Sequence, residues 1–208
     1  MFLHENLSVQ ENGRLAFCGR DTAELAEQYG TPLYLLDEEG IRQRCRLYRD
    51  AMAEYFGNGS MPLFASKVLC FKRIYEMVAE EGIGTDLVSS GEIHTAVKAG
   101  FPMEKAYFHG SNKTDFDIRY AMDCNVGYFI CDNEWEIVEI NREAEKRGVQ
   151  QKVLLRLTPG IDPHTHQAIS TGKVDSKFGV AIETGQAEAF IKRVLTLKNI
   201  ELKGYHCH

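Results

Sequence analysis

Short apolar runs alternate with amphipathic stretches along most of this chain, and from about Lys67 onward the pair recurs every roughly 20 to 35 residues, the spacing of βα units. Side chains repeat every two residues on a strand and every 3.6 on a helix, so each run predicts a strand and each amphipathic stretch a helix. The predicted strands are Pro62 to Ser66, Thr85 to Val88, Lys105 to His109, Val126 to Cys131, Lys152 to Thr158 and Glu201 to His208. Predicted helices between them include Phe71 to Glu81, Glu92 to Lys98 and Glu134 to Lys146. On the last of these, Trp135 and Val138 read as the packed side, with Glu136, Glu139, Arg142 and Glu143 largely toward solvent. Asp132-Asn133 offers capping oxygens at its start and Gly148 an αL cap at its end.

The first third reads differently. Leu7 to Phe17 places Asn12-Gly13 between two short extended runs, a hairpin signal. A short helix (Thr22 to Tyr29), a strand ending at Asp37 and a charged amphipathic helix from about Glu38 to Tyr55 follow. Six successive βα-type strands define an α/β protein and suit either an open doubly wound sheet or most of an eight-stranded barrel.

With 208 residues, 44% of them hydrophobic and 26% charged, the chain can bury a sizeable core in one domain or two small ones. A formal charge of -6 argues against a nucleic-acid or anionic-membrane footprint, which leaves a small molecule as the expected partner. Cys18, Cys45, Cys70, Cys124, Cys131 and Cys207 form no CxxC pair, and no segment has the order of a secretory signal; free thiols in a reducing cytoplasm are expected. No apolar run reaches the roughly 18 to 20 residues of a membrane helix.

Strand alternation carried through position 67 sets Leu63, Ala65 and Lys67 on one face, with Phe64 and Ser66 on the other. In a barrel that face is the lumen, and the C-terminal rim of the strands is where barrel enzymes do their chemistry. Desolvation there would lower the pKa of the amine and ready it to attack an aldehyde. A single lysine ending a strand is more often a solvent-facing residue, so taken alone this position favours that reading. By the same alternation Gly204, His206 and His208 share a face, Arg156 lies opposite Leu155 and Leu157, and Asp86 follows Gly84 into a strand. Charged residues inside such strands must be paired or face a polar cavity, so structural ion pairs stand beside a functional reading. The HxH pairs at His164/His166 and His206/His208 have ligand spacing, but no carboxylate or thiolate partner is fixed, and no metal is assigned. There is no Walker loop, GxSxG elbow or GxGxxG fingerprint.

Seven segments in order resemble the fold-type III pyridoxal 5′-phosphate (PLP) dependent decarboxylases. They are GTPLYLLDEEGIRQR (Gly30 to Arg44), FASK (Phe64 to Lys67), GTDLVSSGEIHTAVKAG (Gly84 to Gly100), HGSNK (His109 to Lys113), RLTPGIDPHTHQAISTG (Arg156 to Gly172), SKFGV (Ser176 to Val180) and GYHCH (Gly204 to His208). Within that family the long histidine-containing stretch is most similar to the diaminopimelate decarboxylases.

The resemblance implies an alanine-racemase-like N-terminal domain, a TIM-type (β/α) barrel, with PLP as cofactor. It implies Lys67 as the Schiff-base lysine, His208 as the imidazole that stacks on the pyridine ring, Asp86 and Arg156 as polar residues around the cofactor, and Ala65 as the small side chain that leaves it room. It further implies an amino-acid substrate, meso-diaminopimelate converted to L-lysine, and a cytoplasmic homodimer with composite active sites. Val68-Leu69-Cys70 replaces the usual Ala-Asn after the lysine, SSGE the commoner SGGE, and HGSNK the commoner HGNNK, which puts a divergent specificity in play. In relatives GYHCH is followed by a phosphate loop, a Glu-Pro-Gly-Arg segment and a C-terminal β-domain. Residues 32–208 are therefore expected to form about six of eight barrel strands of a longer enzyme, and residues 1–31 to pair with a C-terminal domain outside this chain. Another basic amino-acid decarboxylase, a racemase on the same scaffold and a PLP-binding protein without turnover remain as alternatives.

Overall fold

The computed structural model describes residues 4–161 and 178–208. The predicted polar stretch from Asp162 through His164 and His166 to Gly172, together with Ser176 and Lys177, lies outside the described residues. The chain divides into two compact units, Met1–Ser60 and Met61–His208.

In the first unit the hairpin forms where Asn12-Gly13 predicts it. Strands β1 (Leu7–Val9) and β2 (Leu15–Phe17) pair antiparallel, Leu7 opposite Phe17, and β3 (Arg20–Asp21) adds to β2. Gly13 takes a φ of 80°, which a side chain would strain, while Asn12 Oδ1 accepts from the Arg14 N–H at 3.0 Å. Helix α1 (Thr22–Tyr29) starts on Asp21, whose carboxylate accepts from the Ala23 and Glu24 N–H groups. Helix α2 (Glu38–Phe56) starts on Asp37, which accepts from Gly40 N–H. The strand expected to end at Asp37 does not form: residues 31–37 carry no regular structure. An apolar extended run becomes a strand only where a neighbour completes its hydrogen-bond ladder, and none of the described residues does so here.

The second unit is a parallel sheet wrapped by helices. Strands β4 (Leu63–Ala65), β5 (Gly84–Leu87), β6 (Ala106–Phe108), β7 (Tyr128–Cys131), β8 (Gln151–Thr158) and β10 (Ile200–His206) lie side by side in that order, all parallel, and β9 (Val180–Ala181) also pairs with β8. Helices α3 (Lys72–Glu80), α4 (Ser90–Lys98), α5 (Asp115–Asp123), α6 (Glu134–Arg147) and α7 (Gln186–Val194) occupy the connections. Successive strands thus neighbour one another, as in a (β/α) barrel, and not in the reversing order of a doubly wound sheet.

Register sorts the side chains into two faces. One carries Thr85, Leu87, Ala106, Phe108, Phe129, Cys131, Val153 and Leu155, each 1% exposed or less. Ile74, Val78, Ile93, Ile118, Ile137 and Ile140 from the helices are 2% exposed or less, and each such side chain contributes about 1.5 to 3 kcal/mol. The other face carries Ala65, Asp86, Tyr107, Tyr128 and Lys152 in one registered row. This second face is concave. His109 follows β6 and His206 ends β10, three strand spacings or roughly 14 Å apart on a flat sheet. Their rings nevertheless meet edge to face with centroids 4.9 Å apart. Only a sheet curled toward that face brings them together, so this chain forms an incomplete barrel.

Two further sequence expectations change in this unit. Strand β4 stops at Ala65 and Ser66–Val68 winds into a 3-10 turn, so strand alternation does not place Lys67. On α6 the packed side is Ile137, Ile140 and Ala144, whereas Trp135 is 53% exposed; Glu136 and Glu143, expected in solvent, are buried. Glu136 is buried because Lys113 meets it, and Glu143 because Lys146 and Arg147 both pair with it. Charge alone does not send a carboxylate outward when cations sit beside it.

Candidate active site

The polar groups collect at the C-terminal rim of the concave face. The last β7–β8 pair is Cys131–Leu155, so Asp132, just past β7, and Arg156 on β8 each follow it by one residue, and His206 on β10 pairs in register with Arg156. Asp86 sits on β5 in register with Ala65. Lys67 stands on its 3-10 turn two residues after Ala65. The Arg156 guanidinium lies over the Phe178 ring, 4.4 Å from its centroid.

The rim has uneven electrostatics. Burial pushes the Asp86 carboxyl up, opposed by the Ser66 N–H, which donates to Oδ1 at 3.1 Å, and by the charge of Lys67. Burial, aided by His206, Lys113, Arg156 and Lys67, holds His109 down at about 3. Burial, Arg156 and His208 hold His206 at about 4. Both rings are therefore neutral near pH 7 and leave the guanidinium of Arg156 as a fixed positive charge among them. Asp132 is pushed up by burial and drawn back by Lys113 and Arg156. Both of its carboxylate oxygens, and Nδ1 of His206, are buried without a hydrogen-bond partner among the described residues. A buried acceptor left unpaired costs about 1 to 3 kcal/mol, more when charged, so this corner is built to meet donors.

Of the sequence-predicted residues, Ala65, Asp86 and Arg156 share the concave face. Lys67 reaches the rim from a turn and not from the strand, and it is exposed; the burial expected to prime its amine is not supplied by the described residues. His208 lies two residues past the end of β10 and is also exposed. The backbone between Leu202 and Gly204 shifts register, so simple alternation along that strand fails. Sequence reasoning passed over His109 and Asp132. His109 closes a predicted strand as Lys67 did and could have been found by the same logic. Asp132 was absorbed into a helix cap, yet Asn133 alone caps α6, accepting from Glu136 N–H at 2.9 Å. Among the described residues no three His, Cys, Asp or Glu side chains gather as metal ligands would, and no helix is long and apolar enough to cross a membrane.

A curled parallel sheet that gathers an exposed amine and buried polar atoms without partners among the described residues at its C-terminal rim has the architecture of a (β/α)-barrel domain, the class whose small-molecule sites lie at that rim. Residues 38–208 match the family described as "Pyridoxal-dependent decarboxylase, pyridoxal binding domain", and the chain belongs to it. The chain is 41% identical over its whole length to the diaminopimelate decarboxylase of Bacillus subtilis, covering 47% of that protein, and 40% identical to that of Bacillus methanolicus, covering 48%. Among solved structures, the diaminopimelate decarboxylase of M. jannaschii in co-complex with L-lysine superimposes with a TM-score of 0.87 at 32% identity, over 100% of this chain and 48% of that one. The chain thus spans about half the length of these relatives.

The family's cofactor is PLP, and the rim fits it. An accessible amine suits its aldehyde, and the buried Asp132 and His206 atoms offer hydrogen-bonding positions that no described side chain fills.

Proposed function

We propose that this chain is the cofactor-holding part of a longer PLP-dependent decarboxylase that converts meso-diaminopimelate to L-lysine. The observation that carries the reading is the amine of Lys67 at the rim of a curled parallel sheet whose sequence matches a pyridoxal-binding domain from residue 38 to residue 208. The relatives' shared activity supports the substrate.

Bound at this rim, PLP supplies an aldehyde for attachment and an electron sink for the pair left when carbon dioxide departs. In this reading Lys67 offers the attaching nitrogen, and Asp86, whose charge couples to it, orients that nitrogen. Arg156 contributes a fixed positive charge beside the ring position, and Ala65 keeps the floor clear. His208 would stack on the bound ring. His109 and His206, both neutral near pH 7, line the site without adding charge. Residues 1–31 pair with a C-terminal β-domain of the longer protein, which acts as a cytoplasmic homodimer.

Lys67→Ala tests the assignment. The wild-type protein incubated with PLP gains a near-visible absorbance band and the variant does not; an unchanged band in the variant refutes it. For the longer enzyme, carbon dioxide released from meso-diaminopimelate, compared with ornithine, arginine and lysine, tests the substrate. Inversion of the amino acid without gas release marks a racemase instead.

A further inference from the structure

The turn that carries Lys67 is fastened from beneath by side chains that the reading above leaves without a role. Ser66 is fully buried, while Lys67 beside it is exposed. The Ser66 N–H donates to Asp86 Oδ1 at 3.1 Å, and its carbonyl accepts from Leu69 N–H at 3.1 Å, closing the turn. Its hydroxyl donates to Glu92 Oε2 in a short contact. That same Glu92 oxygen accepts the Val88 N–H at 2.7 Å. One carboxylate on the first turn of α4 therefore ties the residue after β5 to the residue before Lys67. On the other side the buried Tyr75 donates its hydroxyl to Cys70 Sγ at 3.5 Å, with Ser66 a further neighbour of that hydroxyl. Cys70 belongs to the Val68-Leu69-Cys70 segment that departs from the family's usual sequence, so this chain secures the far side of the turn with its own side chain.

The turn has little other reason to keep its shape. Val68 is 75% exposed and Leu69 and Cys70 are also exposed, so packing does not hold it. Hydrogen bonds to a carboxylate are stronger than neutral ones, and two converge on Glu92 and one on Asp86. A reacting group must be held to within about half an ångström by groups that are themselves fixed.

We propose that Ser66 is a positioning residue for Lys67: through Asp86 and Glu92 it locks the turn so that the amine emerges at the rim beside Asp86. The proposal rests on Lys67 being the cofactor-binding amine, and the test separates the two. The chain is incubated with PLP, whose aldehyde carbon bonds the lysine nitrogen with release of one water. Borohydride then delivers hydride to that carbon, and modified lysines are mapped and timed by peptide mass. In the wild type, modification concentrates at Lys67; if it does not, the assignment of Lys67 fails, and this is read before any variant. In Ser66→Ala and Glu92→Ala the Lys67 rate falls about 10- to 100-fold, the loss of a hydrogen bond to a charged group. Other exposed lysines, which a merely structural fault would not slow, keep their rates. Glu92→Gln keeps an oxygen for both donors and restores most of the Lys67 rate. Wild-type modification of Lys67 in Ser66→Ala overturns the proposal. Should that variant fail to fold, equal Lys67 rates in Glu92→Ala and Glu92→Gln overturn it instead.

Discussion

Lys113 and Glu136 form an ion pair that water does not reach, and breaking it tests how the rim is held. Their side chains are 1% and 2% exposed, with Nζ 2.5 Å from Oε1. The ammonium has three N–H donors and uses all of them, on Glu136 Oε1, on Gly110 O at 2.8 Å and on Ile130 O at 2.7 Å. Glu136 Oε2 accepts the Asp132 N–H at 3.1 Å. The pair thus joins the loop after β6 to the end of β7, beneath His109 and Asp132. At an effective dielectric of about 20 the gross attraction at this separation is about 7 kcal/mol, and desolvation of the two ions offsets most of it. Removing one partner is different, because the other stays buried with its charge. Lys113→Met is expected to cost about 3 to 5 kcal/mol. For a chain of this size that lowers Tm by roughly 6 to 20 °C, read by circular dichroism. The double variant Lys113→Met/Glu136→Leu is expected to recover most of the loss, since neither charge remains. Burial already pushes the Glu136 carboxyl up against the pull of Lys113, and without Lys113 it rises further. A raised folded-state value favours the fold below the ordinary carboxylate range and works against it as pH rises through that value, so the Lys113→Met deficit is larger at pH 8 than at pH 5. A loss under about 1 kcal/mol, or a double variant no better than the single one, refutes this account.

Three further outcomes follow from the same geometry. His109 and His206 are held near 3 and 4, below the ordinary 6.5; their contribution is complete above about pH 6.5 and drains as pH falls through those values, so His206→Gln should lessen the drop in Tm between pH 7 and pH 4, and an unchanged drop counts against it. A Cβ at Gly127 would lie 2.2 Å from the Glu104 carbonyl oxygen, so Gly127→Ala should cost about 1 to 3 kcal/mol in urea denaturation, and a neutral result would mean that the start of β7 yields easily. Trp135→Ala should change stability by no more than about 0.5 kcal/mol, whereas Ile140→Ala should cost about 2 to 5 kcal/mol; the reverse order would restore the other face of α6 as the packed one.

The alternation of apolar runs was enough to locate every strand from β4 to β8, and β10, to within a few residues, because sheet burial leaves a two-residue period that any chain segment displays locally. Two caps were legible for the same reason: Asn133 and Gly148 act on their nearest neighbours, whereas the caps at Asp21 and Asp37 were not read from the sequence. The strand before Asp37 misled because its apolar run says nothing about whether a ladder partner is present. The family's motifs named Lys67, Asp86 and Arg156 as the residues to examine, but only the fold set Asp86 and Arg156 on one concave face with Lys67 on a turn past its edge strand.

Sequence by itself determined the order of elements, the parallel class and the amine most worth testing, since each depends on short-range pattern or on strings of residues read in succession. Tertiary structure alone decided that Lys67 rises from a buried-serine turn, that Glu136 faces inward and that the Asp132 carboxylate, near Arg156, has no hydrogen-bond partner among the described residues. Those facts depend on partners 20 or more residues away, such as Asp86 for Ser66 and Lys113 for Glu136. Burial and pairing are properties of the space around a side chain, and that space exists only once the sheet has curled.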